Sequence, residues 1–500
     1  MAYQINDRLP HLVYAQASPH SQGGTSLFDA GSIGAHNAQD FVSQTQVIQD
    51  AVEELQRVGF TVLDRGEATI NIAGPPALYE SYFETSLVTE EREVIQPGAV
   101  EMRDTRTFLD SARADRPGLI TPRPRGAAAQ FLEGVALEQP ATRLSGPGSP
   151  PELGYWHLTL GDVAQHLGAR AARDEEITGA GVRLTMVDTG WERVPYFVDE
   201  GLNGTVVLGP GTADPGVDED GHGTCESANA FAVAPGIDFT MVKARDTNVI
   251  GAFDTARRQS QRPDIISMSL AYQAKSPFLD AINVVLAESV SLAVEAGIVV
   301  VCAAGNGHHA YPAQHPDVIA AGGVYLDEHG NLEASNYASG FTSAVYPGRD
   351  VPDVCGLVGM LPGGAYILLP APPGSAIDQR RAKEPYPKGD GTSPGDGWVV
   401  LSGTSAAAPQ VAGVCALLLE ADPNLSLAGV RAALQNSALD VTSGRSNKDT
   451  GGIAGRGPDN ATGYGLVRAA DAVRLVRKSP TSPMSPMSPM SPTGPTGPTG

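Results

Sequence analysis

Cysteine is scarce in this chain of 500 residues, which holds only Cys225, Cys302, Cys355 and Cys415. No two of them form a Cys-x-x-Cys motif, and this disfavours a zinc site. Cys302 and Cys415 lie inside apolar runs, a setting that predicts small buried thiols. We interpret Cys225 as a packing residue as well. The cysteine count does not indicate a redox compartment.

Basic residues are also few. The chain has 34 Lys and Arg against 56 Asp and Glu, a formal net charge of -22. Proteins that bind nucleic acid need clustered Lys and Arg against the phosphates, so nucleic acid is not expected as a partner. The acidic excess is interpreted first as a solvated surface. Acid-side or cation-rich working conditions are the alternative.

Long apolar runs are missing too. Met1 to His20 has no basic region followed by an apolar stretch, so no signal peptide is expected, and no segment is predicted to span a membrane. We therefore expect a soluble chain without a membrane partner, either cytoplasmic or secreted by a route that the sequence does not display. A hydrophobic content of 41% supports globular packing, and the length fits two or three domains.

The first region, residues 1 to about 140, predicts a small α+β unit. Apolar residues at helical spacing favour a helix over Phe41 to Val58. Strands are predicted at Phe60 to Leu63 and Thr69 to Ile72, and Pro76 to Phe83 predicts a second helix. No cluster of chemically reactive residues occurs in this region.

Two segments rich in proline and glycine flank the rest of the chain. The stretch from about Arg116 to Pro151 is interpreted as an exposed linker, where a protease could cut. The tail from Ser479 repeats Ser-Pro-Met and Gly-Pro-Thr units. This composition favours polyproline-like disorder, and the units are too few for a stable collagen triple helix.

Between them, from about 152 to 476, short apolar runs alternate with helical segments such as Leu279 to Ala296. Continuous apolar strands between helices indicate an α/β fold with a parallel sheet covered on both faces. The predicted strands are Val182–Val187, Phe239–Ala244, Ile265–Leu270, Ile298–Ala303 and Val318–Val324.

Four polar residues stand where such a sheet places an active site, at strand ends or a helix start. Asp188 and Asn306 follow apolar strands, His222 lies between glycines, and Ser405 follows a glycine turn before an apolar helix. Each alone is more typical of a turn, a loop or a helix cap than of a catalytic site. Together they match nucleophilic catalysis, since histidine can activate serine, aspartate can orient histidine, and an amide can donate to an oxyanion.

Four motifs in this order resemble those of the subtilisin-like serine peptidases: Val187–Gly190, Gly221–Thr224, Ala303–Asn306 and Gly403–Pro409. The resemblance implies a subtilisin-like parallel sheet with helices on both faces. It assigns Asp188, His222 and Ser405 to the catalytic triad and Asn306 to the oxyanion hole. The implied activity is that of a serine endopeptidase acting through an acyl-enzyme.

The same resemblance implies which residues bind substrate. The stretch from Ser267 looks like the family's substrate strand, on which a protein or peptide substrate would pair its backbone. The substrate-binding residues implied are Ser269, Leu270, Ala271, Ala304 and Gly305.

Two loops, from Leu439 and from Gly455, resemble the calcium loop of the sedolisins, acid-acting relatives on the same fold. The resemblance implies a Ca2+ site, and hard oxygen ligands on irregular backbone suit this ion. Its ligands would be the Asp440 and Asp459 carboxylates with the carbonyls of Val441, Gly455 and Gly457. The alternative is a glycine-rich surface loop with two turn aspartates.

The first region also resembles the ferredoxin-like prodomain of the sedolisins, which assists folding and blocks the cleft. The chain would then be a self-processing zymogen whose own prodomain is an intramolecular inhibitor. We expect a prodomain with its linker at 1–140, a peptidase domain at 141–478 and a disordered tail at 479–500.

The chain departs from the sedolisins because His222 and Asn306 stand where they have glutamate and aspartate. Glu226, one helical turn after His222, either tunes this histidine, contacts substrate, or is an ordinary polar helix residue. The long segment from Leu357 to Trp398 is interpreted as a flap over the cleft or a disordered insert.

The sequence also allows two rival functions. Asp449-Thr450-Gly451 is a second Asp-Thr-Gly motif, but an aspartic peptidase needs two such aspartates on apolar strands, and Asp449 lies in a polar stretch. The main alternative is a catalytically inactive protein that uses the subtilisin fold as a binding module or scaffold.

Overall fold

The computed structural model describes residues 9–96, 102–112, 116–120, 126–140, 142–143, 156–361, 366–383 and 390–478. The predicted disordered tail, 479–500, lies outside the described residues and remains a prediction.

The strands are numbered in chain order. They are β1 Val13–Pro19, β2 Thr61–Arg65, β3 Ile70–Gly74, β4 Leu87–Gln96, β5 Met102–Ser111, β6 Leu132–Leu137, β7 Thr142–Arg143, β8 Arg183–Asp188, β9 Gly204–Leu208, β10 Asp238–Lys243, β11 Ile265–Met268, β12 Leu270–Gln273, β13 Val299–Ala303, β14 Ala310–Tyr311, β15 Ile319–Leu326, β16 Leu332–Ala334, β17 Phe341–Thr342, β18 Asp350–Val351, β19 Val354–Val358, β20 Ile367–Pro370 and β21 Trp398–Leu401.

The α-helices follow the same order. They are α1 Thr45–Val58, α2 Pro76–Tyr82, α3 Leu160–His166, α4 Ala169–Asp174, α5 Pro195–Asp199, α6 His222–Val233, α7 Val249–Arg257, α8 Ala281–Glu295, α9 Ala376–Arg381, α10 Thr404–Ala421, α11 Leu427–Ser437 and α12 Ala469–Lys478.

The described residues up to 140 form an N-terminal unit with its own core. Its sheet is antiparallel, in the order β2-β3-β1-β6. Helix α1 connects β1 to β2, and α2 follows β3, which gives the β-α-β-β-α-β arrangement of a ferredoxin-like unit. The hairpin β4–β5 is inserted before the last strand. The expected α+β unit is confirmed, with ends shifted by a few residues.

The exposed linker predicted from Arg116 to Pro151 is wrong at residues 118–120 and 132–139, which are buried. Strand β6 pairs with β1 inside the N-terminal sheet, and all of its residues are buried. Leu119 and Ile120 are buried as well. The proline and glycine content led to the wrong prediction because the apolar run of β6 is too short to stand out. Its partner strand, β1, lies more than a hundred residues earlier in the chain.

The described residues from 156 form the main unit, built on an eight-stranded sheet in the order β16-β15-β13-β11-β8-β10-β9, with β19 beside β15. All of its strand pairs are parallel except β15–β16. Helices α6 and α10 pack together on one face, and α7 and α8 on the other. The predicted α/β fold is confirmed, and its parallel strands bring their carboxyl ends to one edge.

Helix α10 corrects the expectation that no segment could span a membrane. It is long and apolar enough by length and composition, but 83% of it is buried inside the protein. It packs against α6 and against strands β11, β13, β15 and β19. Burial on all sides explains the apolar sequence, as in other core helices.

Polar contacts join the N-terminal unit to the main unit. Asn71 and Asn248 exchange two side-chain amide hydrogen bonds, of 2.8 and 3.1 Å. Arg257 forms a 2.8 Å ion pair with Glu67. The Tyr272 hydroxyl donates to Glu138 over 2.7 Å. The ferredoxin-like unit is thus docked against β12, α7 and α8.

Candidate active site

Asp188 and His222 meet at the carboxyl edge of the sheet. Asp188 is the last residue of β8, and His222 is the first residue of α6. The Nδ1 atom of His222 lies 2.7 Å from Oδ1 of Asp188, which also accepts from the Thr189 amide. Because a carboxylate only accepts, Nδ1 carries the hydrogen, and Nε2 is left for proton transfer.

Gly223 permits this close approach. A Cβ atom at this position would lie 2.3 Å from the Gly190 carbonyl oxygen and 3.1 Å from Cβ of Asp188. Any side chain would push the first turn of α6 away from the end of β8. The glycine therefore sets the separation between the aspartate and the histidine.

Asp218 organises this region and was not identified from the sequence. Its side chain accepts hydrogen bonds from the Thr189 hydroxyl, the Gly221 amide, and both the amide and the hydroxyl of Thr224. It is 1% exposed. Asp218 thus ties the loop after Asp188 to the start of the histidine helix. In the sequence it is one of several acids in a glycine-rich stretch, and no local signal singles it out.

Ser405 lies in the first turn of α10, which packs against α6. The hydroxyl of Ser405 and the Nε2 atom of His222 are both buried, and neither has a hydrogen-bond partner among the described residues. Buried polar atoms are rarely left unpaired, so two of them at the starts of packed helices indicate a reaction site.

Asn306 is attached to the same helix start. Its Oδ1 atom accepts from the Thr404 amide over 3.0 Å and from the Thr404 hydroxyl over 3.2 Å. A backbone N–H can only donate, which identifies the oxygen end of the Asn306 side chain and turns its NH2 end away from Thr404. The hydroxyl of Thr404 also accepts from the Gly305 amide over 3.1 Å. Asn306 and Ser405 are thereby held together.

The expected substrate strand adjoins the serine. The Ser269 hydroxyl donates to the Ser405 carbonyl over 3.0 Å. Leu270 and Ala271 begin β12, where they pair with Arg143 and Thr142 of β7 in antiparallel register. This edge of β12 is therefore occupied by the segment that follows the N-terminal unit.

Ala304 and Gly305, also expected to bind substrate, connect β13 to Asn306. The Ala304 amide donates to the Ala321 carbonyl over 2.9 Å, which continues the sheet. Gly305 has φ of 112°, a left-handed conformation that favours glycine. The bend at Gly305 turns the chain from the sheet toward Thr404.

His222 is held between acids. Burial opposes its protonation, but the charge and hydrogen bond of Asp188 outweigh burial, with further contributions from Glu226 and Asp220, and the pKa of His222 rises to about 9. Glu226 is fully buried, and its Oε1 atom lies 3.8 Å from Nε2 of His222. Full burial beside His222 is unusual for an ordinary polar helix residue, one of the three roles that the sequence left open.

The segment from Leu357 to Trp398 is ordered over its described part, against the disordered alternative. It contains the end of β19, then β20 and α9. The amides of Ala376 and Ile377 donate to the carbonyls of Glu219 and Asp220. This segment therefore covers the loop that precedes His222.

Two of the expected calcium ligands, the carboxylates of Asp440 and Asp459, meet at one turn. Asp440 accepts from the Gly457 amide over 2.9 Å, and Asp459 accepts from the Gly455 amide over 2.7 Å. No group of three or more His, Cys, Asp or Glu side chains suited to a metal occurs in the described part of the chain. The expected set has only two carboxylates with carbonyls, and this oxygen-rich donor set fits a hard cation.

The structure also bears on the predictions for the cysteines and for Asp449. All four cysteines are free and buried, which confirms the prediction for Cys302 and Cys415 and agrees with packing of Cys225. Asp449 lies exposed in a turn, where its amide donates to the Asn447 side chain. This position agrees with setting aside the aspartic-peptidase interpretation.

Comparison with known proteins indicates the family of this chain. Residues 179–465 match the model of the subtilase family. A probable subtilase-type serine protease of Deinococcus radiodurans is 28% identical, over 61% of this chain and 42% of that protein. Subtilisin Savinase of Lederbergia lenta is 26% identical over 61% of this chain and 96% of its own length.

A solved structure is similar over more of the chain. Fervidolysin from Fervidobacterium pennivorans superposes with a TM-score of 0.57 and 18% identity, covering 94% of this chain and 62% of that one. At this identity the similarity concerns the fold, and the chain spans less than two thirds of both fervidolysin and the Deinococcus relative. The family match covers more than half of the residues, and the chain belongs to the subtilase family, whose members are serine endopeptidases.

Proposed function

We propose that this chain is a serine endopeptidase that hydrolyses peptide bonds through Asp188, His222 and Ser405. One observation carries the proposal. Asp188 engages Nδ1 of His222 at 2.7 Å, while Nε2 of His222 and the Ser405 hydroxyl are buried without a partner among the described residues.

The reaction follows from these atoms. Nε2 of His222 accepts the proton of Ser405, whose oxygen attacks the peptide carbonyl carbon. His222 then returns the proton to the leaving amine, and the acyl-enzyme remains on Ser405. Water activated by the same histidine releases the acid product. Asp188 keeps the ring orientated and stabilises the imidazolium.

Negative charge on the carbonyl oxygen would be stabilised by two donors. One is the NH2 group of Asn306, because its oxygen is engaged by Thr404. The other is the backbone N–H of Ser405, in the first turn of α10, where helix amides have no intrahelical acceptor. Loss of one such donor typically lowers kcat by about a hundredfold to a thousandfold.

Protein or peptide substrates would bind by adding a strand to β12 at Ser269, Leu270 and Ala271. The pairing of Leu270 and Ala271 with β7 supports this geometry, since β7 is an extended segment in the same position. Backbone pairing makes binding tolerant of sequence.

The N-terminal unit would act as an intramolecular inhibitor of a zymogen. Its docking contacts place it against β12, and β7 occupies the edge that a substrate needs. Ser269 is the next residue of the antiparallel register toward Ser405, to whose carbonyl it is hydrogen-bonded. We therefore expect self-cleavage at one of the first two bonds after Arg143.

Self-cleavage tests this proposal directly. The purified chain should be cut, and sequencing of the new N-terminus should give a start at Leu144 or Ser145. Ser405→Ala should stay full length, whereas Ser260→Ala, an exposed serine, should be cut like the wild type. A fluorophosphonate should label Ser405 after cleavage. An uncut and unlabelled wild-type chain would instead identify an inactive scaffold.

A calcium ion would be held by the carboxylates of Asp440 and Asp459 and the carbonyls of Val441, Gly455 and Gly457. The ion would supply a fixed positive charge that crosslinks two loops. Support comes from the convergence of both carboxylates on the turn at 455–457.

A further inference from the structure

Glu226 is a buried acid that the proposed mechanism does not use. It lies one turn beyond His222 on α6 and is 0% exposed. Its Oε1 atom has no hydrogen-bond partner among the described residues and lies 3.8 Å from Nε2 of His222. This is the nitrogen that must accept the proton of Ser405, and the opposite nitrogen already faces Asp188.

A chain of buried amides orientates Glu226. The Leu357 amide donates to Oε1 of Gln410, so the NH2 end of Gln410 faces Asn229 and donates to its oxygen. The NH2 end of Asn229 in turn donates to Oε2 of Glu226 over 3.0 Å. Each donor determines the direction of the next, so Oε2 is engaged and Oε1 remains on the side of His222.

The imidazole therefore lies between two carboxyl groups, one at each nitrogen. We propose that Glu226 is a positioning residue that retains a proton on Nε2 of His222, so that His222 becomes a base only in alkaline solution. Once His222 is neutral, the same carboxylate strengthens it as an acceptor of the Ser405 proton. This inference rests on the proposed peptidase function.

The other charges near this pair do not cancel the effect. Strand β8 contributes the acid Asp188, and the loop before α6 contributes the acids Asp218 and Asp220. In the described part of the covering segment, Arg381 of α9 is a cation that acts on Glu226, and it is 3% exposed. Burial and the charge of Asp188 raise the pKa of Glu226, whereas the charge of His222, the hydrogen bond from Asn229 and the charge of Arg381 lower it. The site keeps an excess of acids beside one histidine.

The remaining described neighbours of α6 contribute little charge near His222 and Glu226. Tyr337 is buried and hydrogen-bonded to Ser402. Helix α10 contributes the neutral Gln410, and β20 has only apolar residues and proline. On α3, Asp162 caps its own helix, and Arg173 of α4 donates to the Ala232 carbonyl at the far end of α6.

The inference predicts a particular change in Glu226→Gln. The amide can donate to neutral Nε2 but cannot stabilise the imidazolium. The pH midpoint of His222 should therefore fall by about one unit or more, as expected on loss of an opposite charge within about 4–6 Å. The rate above the midpoint should also fall a few-fold, because a weaker base accepts the proton less readily.

Two measurements test this, the first on the uncut chain and the second on the chain after self-cleavage. The first follows the 15N shifts of the His222 ring, with labelled histidine, in the Ser405→Ala background, where the chain stays whole. The second follows the rate at which a fluorophosphonate labels Ser405 from pH 5 to 10.5. In Glu226→Asp the pH midpoint of His222 should lie between those of Glu226→Gln and the wild type. Glu200→Gln, at an exposed glutamate, should leave the midpoint at its wild-type value.

An unchanged His222 midpoint in Glu226→Gln would overturn the inference. If that variant does not fold, a wild-type His222 that is already neutral at pH 7 would overturn it equally. Failure of the peptidase proposal looks different: Ser405 would remain unlabelled at every pH, while the ring shifts still report the pairing of His222 with Glu226.

Discussion

Asp218 shows how one buried side chain can hold the proposed catalytic pair, Asp188 and His222, in place. It accepts four hydrogen bonds from groups on both sides of the Asp188–His222 pair. Its pKa is raised by burial, which the four donors partly offset. The carboxylate thus exchanges hydration for a complete set of donors, as buried acids must.

Removal of this carboxylate should be costly. Asp218→Ala leaves buried donors unpaired, and each costs about 1–3 kcal/mol, so we expect a loss of roughly 3–5 kcal/mol in the free energy of unfolding. Urea titration of the Ser405→Ala background measures it. Asp199→Ala, at an exposed position, should change stability by less than about 0.5 kcal/mol. An Asp218→Ala chain as stable as the Asp199→Ala chain would contradict this role.

At the scale of elements, the two loops around Asp440 and Asp459 differ in how their aspartates are hydrogen-bonded and exposed. Asp459 is internally satisfied, since its Oδ1 atom accepts from the amides of Ala461 and Thr462, and Oδ2 accepts from Gly455. Asp440 is exposed and accepts one amide hydrogen bond from Gly457. Of the two proposed calcium ligands, Asp459 also stabilises its own turn, whereas Asp440 contributes little besides its place in the proposed calcium site.

Because of this difference, substitutions of Asp440 and Asp459 should affect calcium binding and folding stability separately. Calcium at about 100 times its Kd should stabilise the chain by about 2.7 kcal/mol, seen as a raised Tm. Asp440→Asn should abolish this calcium-dependent rise but leave the Tm in EDTA nearly unchanged. Asp459→Asn should lower the Tm even in EDTA. A wild-type Tm that is the same with calcium and with EDTA would refute the calcium site.

At the scale of the whole molecule, docking of the N-terminal unit depends on buried acids. Glu138 accepts from Tyr272 of β12 and from Gln16 of β1, so it joins both units. Burial raises the pKa of Glu138 to about 7, against the lowering effect of these two hydrogen bonds. Glu288 of α8 lies near the same interface, and burial raises its pKa to about 9.

These shifts predict the sign of a pH dependence. A carboxyl group with a raised pKa binds its proton more tightly in the folded state, so its stabilisation is complete below about pH 4.5 and is lost as the pH rises through about 7. For Glu138 the loss is on the order of 2–3 kcal/mol. Rising pH should therefore loosen the docked unit.

The test uses the uncut Ser405→Ala chain, unfolded in urea at pH values from 4.5 to 8. Glu138→Gln in this background should flatten the decline in stability over this range. Glu84→Gln, a change at an exposed acid of the same unit, should leave the decline as it is. The same slope in all three chains would assign the pH dependence to other groups.

Local signals account for much of what was predicted. The strand runs that end at Asp188 and precede Asn306, and the glycine turn before Ser405, are short-range patterns, and the structure brings these residues to one edge of a parallel sheet. Helix α1 was predicted from its apolar spacing and from Gly59, which adopts φ of 111°. Period and turn chemistry are properties of a few neighbouring residues, so they can be read without knowing the fold.

Contacts between distant segments could not be predicted from the sequence, because they form only in the folded chain. Strand β6 was mistaken for linker because its partner, β1, lies far back in the chain. The pairing of β7 with β12 and the four donors around Asp218 likewise depend on segments far apart in sequence. Glu226 is the clearest case: its position in the sequence left three roles open, whereas its burial beside Nε2 of His222 follows from the packing of α6 against α10. Burial sets the charge of an acid, and burial is a property of the assembled molecule.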